Sequence, residues 1–119
     1  MKSIVHFKLY FFDPKEMRFY ESDVYTLAPY HQSIYIYTSE EAKYIGDINQ
    51  IVDDSDTNFY NSTLHSLIFA RNEKTLLNCV KHVYNRDLSE SFNQIEKQLD
   101  RIRKYQKGLK VIEEHESQG

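Results

Sequence analysis

The chain has 119 residues, 40% of them hydrophobic and 28% charged, with a formal net charge of −3. That composition suits one folded domain with its own core and is too apolar for wholesale disorder, while the negative balance excludes the electrostatic footprint of a general nucleic-acid binder. A single cysteine, Cys79, excludes an intrachain disulfide and any cysteine-built zinc site within one chain.

The opening "MKSIVHFKLYFFDPKE" carries His6 and Lys8 inside its apolar run, unlike the apolar region of a signal peptide. No stretch approaches the roughly 20 apolar residues of a transmembrane helix. These features lead us to expect a cytoplasmic protein with no membrane association. "NST" at Asn61 matches a glycosylation sequon, which without a secretory signal reads as chance.

In chain order, "SIVHFKLYFF" alternates Ile4, His6, Lys8 and Tyr10 against Val5, Phe7, Leu9 and Phe11, a half-buried strand with the second set facing the core. "DPKE" presets a turn, because Pro14 fixes φ and Asp13 can accept bonds from the backbone beyond it. "MRFYESDVYTL" is the returning strand of a hairpin, stopped by Pro29. "SIYIYT" predicts a third strand with Tyr35 and Tyr37 on one face and Ile34 and Ile36 on the other.

Residues 39–56 read mainly as a solvated loop, with a strand plus turns or one short helical turn as alternatives. Glu40, Glu41, Asp47, Asp53, Asp54 and Asp56 against Lys43 make it strongly acidic. "STLHSLIFA" regains strand character, with Leu64, Ser66 and Ile68 opposed to His65, Leu67 and Phe69. Asn72 is a good N-cap and Glu73 suits the positive end of the helix that follows. Leu76, Leu77, Val80, Val83, Tyr84 and Leu88 keep helical spacing, and Asp87 to Glu90 has the form of a second capping box. The expectation is two helices or one kinked helix.

Beyond that point Leu88, Ile95, Ile102 and Leu109 recur every seven residues, with Phe92 and Leu99 between them: a short heptad seam. A helix from Leu88 to Glu114 is about 39 Å long, against a radius of gyration of about 12 Å for a globule made of the rest. Part of it overhangs, and the cheapest cover for its seam is a second copy related by a two-fold axis. A homo-oligomer, dimer or higher, through Leu88, Phe92, Ile95, Leu99, Ile102 and Leu109 is therefore expected. The fold class is α+β: an N-terminal antiparallel sheet, mainly β over 1–70, then one or two helices over 72–114 and a tail at 115–119, in a single domain.

Three constellations could carry binding. Lys97, Arg101 and Lys104 share a stripe roughly opposite the seam, and Arg103 and Lys110 flank it; like charges at i,i+4 repel mildly until a phosphate sits among them. "FARNE" places Phe69, Arg71 and Asn72 where a strand meets a helix start, whose free N–H groups attract anions. Tyr35 and Tyr37 form an aromatic ladder able to stack a base or meet a protein. Each also has a plainer reading, as a solvated face, an ordinary cap and β propensity. The five histidines are scattered and the three glycines isolated, so no metal site, phosphate loop or nucleophile triad is spelled out, and neither a cofactor nor catalysis is expected.

A strand-rich first half, the phrase "SLIFARNEKTLLNCVKHVY" and the charged tail "IEKQLDRIRK" resemble small proteins encoded by phages and prophages of Firmicutes. Among these the layout is most similar to the Thoeris anti-defence sponge family. The resemblance implies an oligomer that sequesters, without cleaving, a cyclic ADP-ribose or cyclic nucleotide signal in the cytoplasm of an infected bacterium. The phosphate-bearing ligand would then be held by Phe69, Arg71, Asn72, Lys97, Arg101, Arg103 and Lys104. The alternative is a protein-protein inhibitor of a bacterial defence enzyme, using the acidic segment or the tyrosine ladder.

Overall fold

The computed structural model describes residues 3–38 and 40–118. The chain divides after Tyr84 into two compact units.

The first unit is built on a five-stranded antiparallel sheet of order β4-β3-β2-β1-β5. Strands β1 (Ile4–Asp13) and β2 (Arg18–Leu27) form the predicted hairpin, in register from Ile4 opposite Leu27 to Asp13 opposite Arg18. Asp13 sets the turn as expected: its side chain accepts from the backbone N–H of Lys15 at 2.9 Å and of Glu16 at 3.4 Å. Leu27 ends β2 just before Pro29, and the loop is tied back by a bond from the His31 N–H to the Leu27 carbonyl and by Thr26 Oγ1 at 3.0 Å from His31 Nδ1. Strand β3 (Ser33–Tyr37) follows, as the alternation predicts.

The acidic segment departs from the expected solvated loop. It contains the edge strand β4 (Ala42–Asp47), a single 3-10 turn (Ile48–Gln50) and the buried pair Ile51 and Val52. Its acids sit outward while Ile45, Ile48, Ile51 and Val52 supply apolar surface inward, so net charge concealed a core element. Ser39, part of that reading, lies outside the described residues. The strand expected over 62–70 shrinks to β5 (Ile68–Ala70), preceded by a short helix α1 (Thr57–Asn61) whose first turn is capped by Asp56 accepting from the Phe59 N–H.

Helix α2 runs unbroken over Glu73–Gln118, so the capping box at Asp87 starts no new helix. Asn72 caps it as expected, its Oδ1 accepting from the Thr75 N–H at 2.8 Å. An established helix already satisfies those N–H groups internally, which leaves a mid-helix box nothing to do.

The sheet has a core on each face. Leu9, Phe11, Val24, Ile34, Ile51 and Phe69 pack on one side. Phe12, Ile68 and Ala70 pack on the other, beneath Phe59 of α1 and Leu76, Cys79, Val80 and Val83 of α2. Strand period two explains the pairing of Leu9 with Phe11 and frees Phe12 for the opposite face, where the first turns of α2 cover it. Val5, expected inward, is exposed at the uncovered start of β1. Each fully buried aliphatic or aromatic chain contributes about 1.5–3 kcal/mol, so the first turns of α2 are anchored to this unit.

The second unit consists, among the described residues, of the remainder of α2. Every seam residue named from the heptad spacing stands open, with Leu88, Phe92, Ile95, Leu99, Ile102 and Leu109 between 44% and 61% exposed.

Candidate functional site

The hairpin register and the two edge pairings place His6, Tyr25, Tyr35 and Tyr44 directly opposite one another on β1, β2, β3 and β4. Cross-strand partners share a face, so the four rings form a row across the sheet. Successive centroids are 6.0, 5.6 and 6.0 Å apart, and Tyr37 closes on Tyr25 at 5.1 Å. Ile34, the neighbour of Tyr35, is fully buried on the opposite face and holds β3 in this orientation.

The row is graded in exposure. Tyr25 is 5% exposed, whereas Tyr37, packed beside it, is 73% exposed and Tyr44 is open. Tyr44 donates its hydroxyl to Asp47 Oδ1 at 2.6 Å. That bond, and then burial, raises the Tyr44 pKa above its ordinary value; burial, and then the neighbouring Tyr37 and Tyr35, raise that of Tyr25. Both phenols therefore stay neutral well past physiological pH and keep their O–H donors.

Acids border the exposed end. Glu41 lies in the β3–β4 turn, where Thr38 Oγ1 donates to its carbonyl at 2.7 Å, with Glu40 beside it, and Asp47 ends β4. Lys43 is the basic residue of β4. The face thus presents flat aromatic rings with neutral hydroxyls inside a negative rim. Such a surface can stack, donate hydrogen bonds and attract cationic groups.

The residues assigned to a nucleotide pocket are distributed differently. Phe69 is 4% exposed, packed 5.9 Å from Phe11 by ring centroid and hard against Gly46, so neither of its faces is open to a base. Its edge does line a hollow of about 220 Å³ with the polar side chains Gln50, Asn58 and Ser66. The Arg71 guanidinium lies 5.1 Å over the Phe7 ring, and the Asn72 side chain is engaged in capping. These three belong to the first unit; Lys97, Arg101, Arg103 and Lys104 belong to the second, all exposed on α2. Arg103 lies 3.8 Å from Asp100, while Lys97, Arg101 and Lys104 make no ion pair among the described residues.

Reasoning from the sequence found Tyr35 and Tyr37 but missed Tyr25, Tyr44 and His6. No group of three His, Cys, Asp or Glu side chains is placed to hold a metal ion among the described residues, and no described helix is long and apolar enough to cross a membrane. The chain matches no protein-family model, no curated protein and no solved structure.

Proposed function

We propose that the chain is a non-catalytic binding protein of the anti-defence type, whose sheet unit engages a protein partner through the tyrosine row and its acidic rim. The observation that carries this reading is the row itself, four cross-strand rings ending at the open Tyr44, with the exposed Tyr37 packed beside Tyr25. Tyrosine is enriched at protein interfaces because it brings a large, rigid surface with a polar tip. The rim of Glu40, Glu41 and Asp47 favours a basic partner surface and disfavours a phosphate-rich ligand at the same place. A defence enzyme with a basic nucleic-acid groove or phosphate-binding cleft fits that description.

A second reading, a sponge for a cyclic nucleotide or cyclic ADP-ribose type signal, is favoured by Lys97, Arg101 and Lys104, an exposed basic stripe that makes no ion pair among the described residues. In both readings the chain assembles through the exposed seam of α2, its apolar side chains covered by a second copy.

Affinity capture from host lysate tests the leading reading, comparing wild type with Tyr37→Arg and with Glu40→Lys/Glu41→Lys. A stoichiometric protein lost in both variants, with melting temperatures unchanged, is the expected result. Capture that persists at full level in both variants, or binds no protein, contradicts it.

A further inference from the structure

We infer that the second copy lies antiparallel along α2, in one register selected by Glu96 and Arg103. The inference rests on the reading that the seam is covered by a second copy, and it specifies how.

The seam assigns heptad positions without ambiguity. Leu88, Ile95, Ile102 and Leu109 take d, and Phe92, Leu99 and Gln106 take a. The e flank then carries Ser89, Glu96, Arg103 and Lys110, and the g flank carries Ser91, Gln98, Tyr105 and Ile112. All charge lies on one flank, which decides orientation.

In a parallel pair the contacts run from g to e, so Glu96 would meet Ser91, Arg103 would meet Gln98 and Lys110 would meet Tyr105. No opposite charges meet, and Gln106 stacks on Gln106. In an antiparallel pair e faces e. The register that sets Phe92 against Leu109 of the second copy and Leu99 against Ile102 of the second copy also brings Glu96 onto Arg103 of the second copy, and two-fold symmetry makes that contact twice. Sliding one heptad in one direction sets Glu96 against Glu96; sliding in the other sets Arg103 against Arg103 and, although it brings Glu96 onto Lys110 of the second copy, leaves Phe92 and Ile95 facing Glu116 and Glu113 of the second copy. One register therefore brings opposite charges together with no like-charge contact on the flank, whereas each neighbour sets a pair of like charges face to face.

The area suffices. Six seam side chains about half exposed offer on the order of 100 Å² each, and Tyr105 and Ile112 raise the total to about 800 Å² per copy, the scale of a standard stable interface. Asp100, 3.8 Å from Arg103 on the same helix, orients the guanidinium without covering it, since both side chains remain more than 70% exposed.

Sedimentation equilibrium of the full chain up to about 100 µM, with wild type, Glu96→Arg, Arg103→Glu and the double reversal, tests this. All substituted positions are exposed on the helix, so folding is not at stake. The expected result is a wild-type dimer, weakened roughly tenfold by either single reversal and restored by the double, because two attractive contacts become two repulsive ones and then return. A wild-type dimer indifferent to the reversals, or not restored by the double, overturns the antiparallel register and leaves self-association standing. A wild-type monomer overturns both, and a tetramer overturns the two-helix form. Cysteine cross-linking supplies the second measurement: Ile95→Cys alone should not link to its twin, and Ile95→Cys/Gln106→Cys should link two copies, whereas a parallel pair gives the reverse for the single variant.

Discussion

Gly46→Ala should destabilise the sheet unit more than any other single methyl addition in it. Gly46 sits in β4 with φ at +154°, a conformation that L side chains rarely adopt. A Cβ there would stand 2.8 Å from Cζ and 3.2 Å from Cε1 of Phe69, and 2.9 Å from Oε1 of Gln50. The ring cannot yield cheaply, because Phe69 is buried and braced by Phe11; Gln50 is held too, its Oε1 accepting from the Asp47 N–H at 2.7 Å. Overpacking of this kind costs about 1–3 kcal/mol, and the backbone adjustment adds about 1–2 kcal/mol. A total of about 3 kcal/mol in a unit of this size lowers the melting temperature by roughly 12–24 °C. Tyrosine fluorescence or near-ultraviolet circular dichroism should follow the melt, since far-ultraviolet signal is dominated by the long helix. Gly46→Ala/Phe69→Leu should recover the clash component but not the backbone component. A shift of less than about 3 °C in the single variant would refute the placement of β4 against Phe69.

Asn72→Ala should cost about 1 kcal/mol, read as a lower urea midpoint, by removing the acceptor for the Thr75 N–H. Val83→Ala, which opens a hole among fully buried neighbours, should cost about 1–3 kcal/mol in the same assay. The phenols predict an alkaline limit: Tyr44 is raised by its bond to Asp47, Tyr25 by burial, and Tyr20 by burial and then Asp13. A raised folded value means that the folded state holds its proton more tightly, so this stabilisation is complete below about pH 10 and is lost as pH climbs through the folded values. Absorbance at the tyrosinate band should show a subset titrating above the ordinary range, smaller by one residue in Tyr44→Phe.

The hairpin, the third strand, the Asn72 cap and the heptad seam were legible because each follows from local chemistry. Turn residues, period-two alternation, a capping side chain and a seven-residue repeat act over a few positions. What was hidden depends on pairing across the fold. Strand β4 was masked by the acids around it, and its place in the sheet becomes apparent only once Ile34 pairs with Gly46. Helix α1 did carry a local signal, Asp56 ahead of Phe59, but it is short and was overshadowed by the acidic run. The tyrosine row was half visible. A four-residue link after Asp13 sets His6 opposite Tyr25, which could have been counted from the turn, whereas the bulge between Ile34 and Tyr35 that brings Tyr44 into line could not. Phe69 could stack on a base or sit in the core as far as its sequence shows, because a buried strand and a ligand-facing strand share the same apolar pattern, and in the fold it is buried.

The central claim is that this chain works by holding a protein on its tyrosine-lined face. Native mass spectrometry of the protein purified from cells expressing candidate defence systems tests it most directly, comparing the assembly before and after denaturation, for wild type and Tyr37→Arg. The account predicts a stoichiometric protein adduct on wild type that is absent from Tyr37→Arg. A multimer that instead releases a ligand on the order of a few hundred daltons per site, equally in both, would contradict it and move the function to the basic helix.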